Sequence, residues 1–375
     1  MIEENCVISG VGRSAIGRRL HRDPWKLTAE ACLAAIADAG LTADDIDGVS
    51  TYPGGTWSTP GLTGAGVDDI RTMLGLKTRW VTGGGELPSQ LGSVVNAILA
   101  VGSGVCEHVL CFRTVWESTA QDQLGSRSSV LAKVAAVREF DQWTKPFGAG
   151  YPTYGALTMQ RYMHESGATR EQLAQIALTG RKHAAFSPTA VYREPMSLDD
   201  YMGARMISDP LCLFDCDSPT DGSVAFVVSR AGSTAIDRSR AIQIKAVGSA
   251  AGFEPCAKMM WSRTDLKPSD VKLAELYDGF SILTVRWLEA LGFCPRNEGA
   301  RFIEGGQRIS LTGELPLNTG GGQLSGGRMH GYGGFRQACL QLRGDAGEAQ
   351  VSPRPDVAVV SAGTDTFSAC LLLAR

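Results

Sequence analysis

Between Asn318 and Tyr332, six of fifteen positions are glycine, in the order Asn-Thr-Gly-Gly-Gly-Gln-Leu-Ser-Gly-Gly-Arg-Met-His-Gly-Tyr. Glycine accepts positive φ and lets main chain approach a partner closely, so backbone rather than side chains shapes this segment. The apolar-periodic stretch that follows, Gly334 to Leu342, reads as a helix, which makes the segment a loop feeding a helix N-terminus. Such a place suits anions and developing oxyanions. A flexible linker would be Ser-rich and polar, whereas this loop carries Asn318, Arg328, His330 and Tyr332. The segment reads as a functional loop rather than a linker.

The rest of the chain permits one. Its 375 residues are 43% hydrophobic and 20% charged, enough for two packed cores. The net charge is −3 and no long run of like charge occurs, which argues against nucleic acid as a partner. The start Met-Ile-Glu-Glu-Asn is unlike a signal peptide, and no run of eighteen apolar residues suggests membrane insertion. Ten cysteines are scattered, mostly in apolar runs, as expected of buried thiols in a reducing, cytoplasmic compartment. Cys212 and Cys216 have no second pair at zinc-site spacing, so no metal site is expected.

Along the chain, Cys6–Gly12 reads as a strand, Leu27–Ala39 as a helix and Asp44–Ser50 as a turn into a strand, which together make a βαβ unit. A second glycine loop, Gly83–Gly92, opens a helix through Leu99 and leads to a strand at His108–Phe112. The second half repeats the plan: a strand at Ala241–Val247, a short strand before Leu276, a helix at Phe280–Leu291, the Asn318 loop, and a strand at Asp356–Ser361. The matched order suggests a duplication, although two independent βα halves would read the same. Between the halves, about 113–210, lies an aromatic- and Met-rich insertion with two predicted helices, Leu157–Glu165 and Arg170–Lys182.

In this order the motifs resemble the thiolase superfamily, and within it the lipid-transfer-protein branch. Tyr277-Asp278-Gly279-Phe280 is similar to that family's Asn-Glu-Ala-Phe motif. Asn318-Thr319-Gly320-Gly321 and Gly327-Arg328-Met329-His330-Gly331 resemble its Asn-x-x-Gly-Gly and Gly-His-Pro-x-Gly motifs, and Ser361-Ala362-Gly363 its closing Cys-x-Gly. The resemblance implies a thiolase-like, layered αβαβα fold of two similar halves, residues 1–235 and 236–375. It also implies a homodimer and, in the aldolase branch, a small OB-fold acyl-CoA-associated partner protein.

The departures redirect the chemistry. Leu87-Pro88-Ser89 stands where a thiolase has its nucleophilic cysteine, and no cysteine lies between Cys32 and Cys106. The second cysteine falls on Ser361, the catalytic histidine on Arg328 and the motif asparagine on Tyr277. The pattern is similar to steroid side-chain retro-aldolases that lack these cysteines and cleave a β-hydroxyacyl-CoA thioester to a ketone or aldehyde and a short acyl-CoA. CoA would then be part of the substrate, with no covalently bound cofactor. In that group one catalytic tyrosine lies in a Tyr-Asp-x-Phe motif, here Tyr277; a second precedes His-Gly by two residues, where this chain has Arg328, leaving Tyr332 as the candidate replacement.

The candidate catalytic residues are therefore Tyr277, Asp278, Arg328, His330 and Tyr332; Ser89, Asn318, Gly320, Gly321 and Gly363 are the candidates for holding substrate. Tyr277 as a base would need Arg328 to lower its pKa from about 10. Structural alternatives stand beside these roles: Asp278 as N-cap of the helix near Phe280, Arg328 paired with a buried carboxylate, and His330 bracing the loop. A cysteine-independent acyltransferase or condensing enzyme and a non-catalytic lipid- or acyl-CoA-binding subunit are the rival functions.

Overall fold

The computed structural model describes residues 1–52, 61–83, 89–124 and 141–375. Nine strands form one mixed sheet: β1 Cys6–Arg13, β2 Gly48–Thr51, β3 Trp80–Gly83, β4 His108–Trp116, β7 Asp221–Arg230, β8 Ile242–Ala250, β9 Leu273–Glu275, β10 Val357–Gly363 and β11 Ser368–Ala374. Their spatial order is β3-β2-β4-β7-β1-β8-β11-β10-β9; β5 Met206–Ser208 and β6 Leu211–Cys212 make a separate hairpin.

Read outward from the centre, the two halves repeat. In the first, β1 lies antiparallel to β7, β7 antiparallel to β4, and β4 parallel to β2. In the second, β8 lies antiparallel to β11, β11 antiparallel to β10, and β10 parallel to β9. The matched order of the two halves is thus present in the topology, except that among the described residues β3 has no counterpart beyond β9. Only two residue pairs, Val7–Gln243 and Ile8–Ile242, join the halves through β1 and β8.

Helices complete the layers. Helix α1, Pro24–Asp38, begins with Pro24 at its first position and Asp23 accepting a hydrogen bond from Trp25 N, the chemistry expected of a helix start. It lies hard against β1 because Gly10 and Gly12 have no side chain there; a Cβ would stand 2.1 Å from Ala35 O and 2.3 Å from Ala31 O. Helix α2, Gly92–Gly102, covers the other face of this half. The insertion supplies α3, Tyr151–Ser166, and α4, Gln175–Ala184. In the second half α5, Phe253–Trp261, sits on β8 as α1 does on β1, and a Cβ at Gly248 would meet Cys256 O at 2.2 Å. Helices α6, Ser281–Ala290, and α7, Tyr332–Arg343, follow. Helix α7 contacts β9 and β10 of its own half and β7 of the other, where Phe226 packs on Tyr332 and Phe335. It therefore lies between the two sets of strands, which is the expected αβαβα layering.

The insertion differs from its reading. Arg113 belongs to β4, which continues to Trp116, and α3 starts at Tyr151, six residues before the predicted helix. Met159 is fully buried, as a core methionine would be.

Candidate active site

Three segments converge at one place: the turn after β9, the glycine loop before α7, and Ser89–Gln90 ahead of α2. Leu87 and Pro88 lie outside the described residues. Ser89 is buried and holds a left-handed φ of +89°, a conformation uncommon for serine. Next to it, Gln90 Nε2 donates to the Tyr277 hydroxyl at 2.8 Å.

Tyr277 is buried and positioned from both sides. Its N–H donates to Ser361 Oγ at 3.2 Å and its carbonyl accepts from Thr284 Oγ1 at 3.3 Å. The serine in the closing motif therefore anchors the tyrosine turn. Burial pushes the phenol above the ordinary tyrosine value, Asp217 adds to the rise, and Gln90, Arg328 and Gln323 oppose it. The expectation that Arg328 brings Tyr277 toward neutrality is therefore not met: desolvation outweighs a cation already neutralised by other groups. Tyr277 stays a protonated phenol at neutral pH.

Asp278 behaves in the opposite way. Its carboxylate accepts from Gln323 N at 2.8 and 3.0 Å and from Leu324 N at 3.4 Å. It does cap a helix, but the short Gly322–Ser325 turn of the glycine loop rather than α6, whose N-cap is Phe280. Burial raises its pKa to about 7 and the two loop amides restrain the rise. A Cβ at Gly322, φ +60°, would stand 2.0 Å from Asp278 Oδ2, so this is the loop glycine the carboxylate requires.

The loop was expected to offer its amides to a substrate oxyanion. Several are already engaged: Thr319 N with Glu275, Gly321 N with Asn318 O, and the Gln323 and Leu324 amides with Asp278. The anion held at this end is the protein's own Asp278. Asn318 staples the loop to β9 through Leu276 N→Oδ1 at 2.7 Å. Gly320 and Gly321 shape the loop: a Cβ at Gly321, φ +96°, would meet Ala184 Cβ at 2.7 Å, whereas Gly320 meets Gln337 only at 3.2 Å. Gly363, φ +100°, is demanded by the β10–β11 turn, where a Cβ would stand 1.9 Å from Phe367 O.

Arg328 is buried with Nε donating to Glu117 and NH1 to Asp217, both at 2.6 Å. Of its two readings, the geometry is that of the structural pair, doubled. His330 Nδ1 lies 2.6 Å from Arg113 NH2. A guanidinium can only donate, so Nδ1 accepts and the imidazole is the neutral tautomer with its proton on Nε2. Tyr332, offered as the second catalytic tyrosine, is placed elsewhere. Its hydroxyl is hydrogen-bonded to Ser93 on α2, its ring packs on Phe226 and Phe335, and burial pushes its phenol far up.

Sequence reading missed the glutamines. Gln323 is buried, and among the described residues neither its Oε1 nor its Nε2 has a hydrogen-bond partner; the same holds for Gln90 Oε1. Gln323 also spans the pair, its backbone on Asp278 and its carboxamide beside the Tyr277 hydroxyl, where it favours the ionised form. Unpartnered buried amides next to titratable groups mark a receptacle for polar atoms that arrive with a ligand.

Comparison with known proteins places this geometry. Residues 233–373 match the thiolase C-terminal domain-like family. Over 98% of its length the chain is 33% identical to the steroid side-chain-cleaving aldolase of Thermomonospora curvata, covering 97% of that protein. The chain belongs to the thiolase superfamily, in its steroid side-chain-cleaving aldolase branch. It is 32% identical, over 100% of both chains, to the 17-hydroxy-3-oxo-4-pregnene-20-carboxyl-CoA lyase of Mycobacterium tuberculosis. The solved Ltp2-ChsH2(DUF35) aldolase matches with a TM-score of 0.85 at 30% identity, covering 100% of this chain and 99% of that one. Human mitochondrial 3-ketoacyl-CoA thiolase, at 14% identity and a TM-score of 0.68, shares the fold. In this site a phenol and a carboxylate, Tyr277 and Asp278, stand beside Gln90 and the glycine loop.

Proposed function

We propose that the chain is a carbon–carbon lyase that cleaves a β-hydroxyacyl-CoA thioester, a steroid side-chain CoA ester, with Asp278 and Tyr277 as its proton-transfer pair. The observation that carries this assignment of roles is the opposite displacement of the two groups: a carboxylate near 7 accepts a proton at neutral pH, while a phenol held above its ordinary value keeps one to give.

In the retro-aldol step Asp278 removes the proton of the β-hydroxyl. The electron pair of that O–H bond becomes the new carbonyl, the Cα–Cβ bond breaks, and its electrons pass into the thioester as an enolate. Tyr277 protonates Cα, releasing a ketone or aldehyde and a short acyl-CoA. The amides of Gln90 and Gln323 supply hydrogen bonds for the oxygens of the substrate. CoA enters as part of that substrate, and no covalent cofactor takes part. Sulfur nucleophiles are not required: all ten cysteines are free thiols and nine are buried, which also fits a cytoplasmic setting. Among the described residues no helix is long and apolar enough to cross a membrane. The working assembly in this reading is a homodimer with a small acyl-CoA-associated OB-fold partner, and the likeness to the Ltp2-ChsH2(DUF35) aldolase supports the presence of a partner protein.

The test is coexpression with such a partner and mass spectrometry of products from 17-hydroxy-3-oxo-4-pregnene-20-carboxyl-CoA. A 17-ketosteroid and a short acyl-CoA in equal amounts are expected. Bound but unreacted thioester, or free acid from hydrolysis, would overturn the lyase assignment. Tyr277→Phe, which keeps the ring, should lose a factor of about 10² to 10⁴ in kcat without losing the fold.

A further inference from the structure

Past Ile8, β1 leaves β8, and the gap is stitched by side chains: Val11 N donates to Asp38 at 2.8 Å, while Arg343 donates to Asp38 at 2.6 Å and to Ser9 O at 2.9 Å. Beside this stitch, between α1 and α7, lies a cavity of about 430 Å³. Four arginines, Arg13, Arg240, Arg336 and Arg343, line it against two carboxylates, Glu30 and Asp38. Both carboxylates are already paired, Glu30 with Arg22 and Asp38 with Arg343 and Arg240. Arg13 donates only to a backbone carbonyl, Ser14 O, at 3.0 Å. Among the described residues Arg336 has no hydrogen-bond or ion-pair partner at all.

An unpaired, largely desolvated guanidinium facing a second one is expensive to hold. Its pKa shows the strain: burial and the Arg13 charge draw Arg336 down to about 10. The surface it retains faces this cavity and a smaller one of about 50 Å³ lined by Glu275 and by Gly320, Gly327 and Met329 of the glycine loop. Neither Tyr277 nor Asp278 lines either cavity.

We infer that the cavity between α1 and α7 is an anion site, in which Arg336 and Arg13 bind the phosphate or diphosphate group of a small organic ligand. Planar guanidinium forks match phosphate oxygens, and the volume exceeds what one inorganic ion fills. Because Arg336 also borders the glycine loop, one turn after Tyr332, a bound anion would act on the segment that shapes the active site. The inference does not depend on the reaction assigned to Tyr277.

The experiment is titration calorimetry of the full chain, without substrate, using inorganic diphosphate and adenosine 3′,5′-bisphosphate as probes at low and high salt. Saturable binding that weakens with salt is expected, with Arg336→Gln at least about tenfold weaker and Arg336→Lys in between. Binding of both probes assigns the site to the phosphate group alone; binding of the bisphosphate only assigns it to a nucleotide end. A melting temperature for Arg336→Gln equal to or above that of the parent shows that the fold is intact. No saturable heat with either probe, or equal affinity in Arg336→Gln, overturns the inference. So does a changed molecular mass of Arg336→Gln by light scattering, since the arginines would then belong to a subunit contact.

Discussion

Replacing Arg328 by glutamine separates a structural cation from a catalytic one. The side chain is only 8% exposed and holds two carboxylates, Glu117 at 3% and Asp217 at 11%, each through a 2.6 Å contact. Removing one partner of a buried ion pair costs about 3–5 kcal/mol, because the charge left behind is uncompensated. Unfolding entropy of roughly 2.1 cal/mol/K per residue gives this chain roughly 0.8 kcal/mol/K, so Arg328→Gln should melt about 4–6 °C lower, read by circular dichroism. Neutralising all three groups together, as Glu117→Gln, Asp217→Asn and Arg328→Gln, should cost less than the single change. If Arg328→Gln melts within a degree of the parent at every pH yet abolishes turnover, the arginine serves the substrate and the structural account is wrong.

Other outcomes follow from the same geometry. Asp278, raised to about 7, should make kcat/KM climb with pH through that value, and Asp278→Asn should abolish the climb along with most of the rate. Its ionisation also works against folding: with a folded pKa above the unfolded one, its contribution to stability is greatest below about pH 4 and falls, by up to about 4 kcal/mol, as pH rises through 7. Thermal melts of Asp278→Asn should accordingly vary less with pH over that window. Gly322→Ala should destabilise the fold markedly, and Gly320→Ala should be milder, as calorimetry would show. Iodoacetamide at neutral pH should leave activity intact, since nine of the ten thiols are buried and burial pushes the tenth, Cys216, up to about 12; rapid inactivation tracking one alkylated cysteine would contradict the thiol-free mechanism.

What was legible in the sequence was whatever local chemistry announces. The helix read at Leu27–Ala39, the glycines before α2 and α7, and the Tyr-Asp-Gly-Phe turn all stand in the chain as written. Strands β7 and β11 were passed over because they are buried on both faces, and a strand without alternation carries no period to detect. The partners of Arg328 were illegible for another reason: Glu117 and Asp217 lie 211 and 111 residues away. The glycine loop spends several of its amides otherwise than expected. An amide-rich turn was correctly seen to want an anion, but the anion came from Asp278, 45 residues earlier. Gln90 and Gln323 gave no signal, because an unpartnered carboxamide is a property of its surroundings.

The place of β11 has a consequence for how such a chain can be made. In both halves the strand that closes the sheet arrives last: β7 slots between β4 and β1, and β11 between β10 and β8. During synthesis the first half can close once residue 230 has emerged. The second half instead waits, with β8 unjoined to the β10–β9 pair, until residues 368–374 are free to enter, all seven of them buried. That interval leaves the open flanks of β8 and β10 exposed to wrong pairing, the condition in which chains aggregate. A ribosome stalled before Ser368, or a tag fused tightly behind Ala374, would hold the second sheet open.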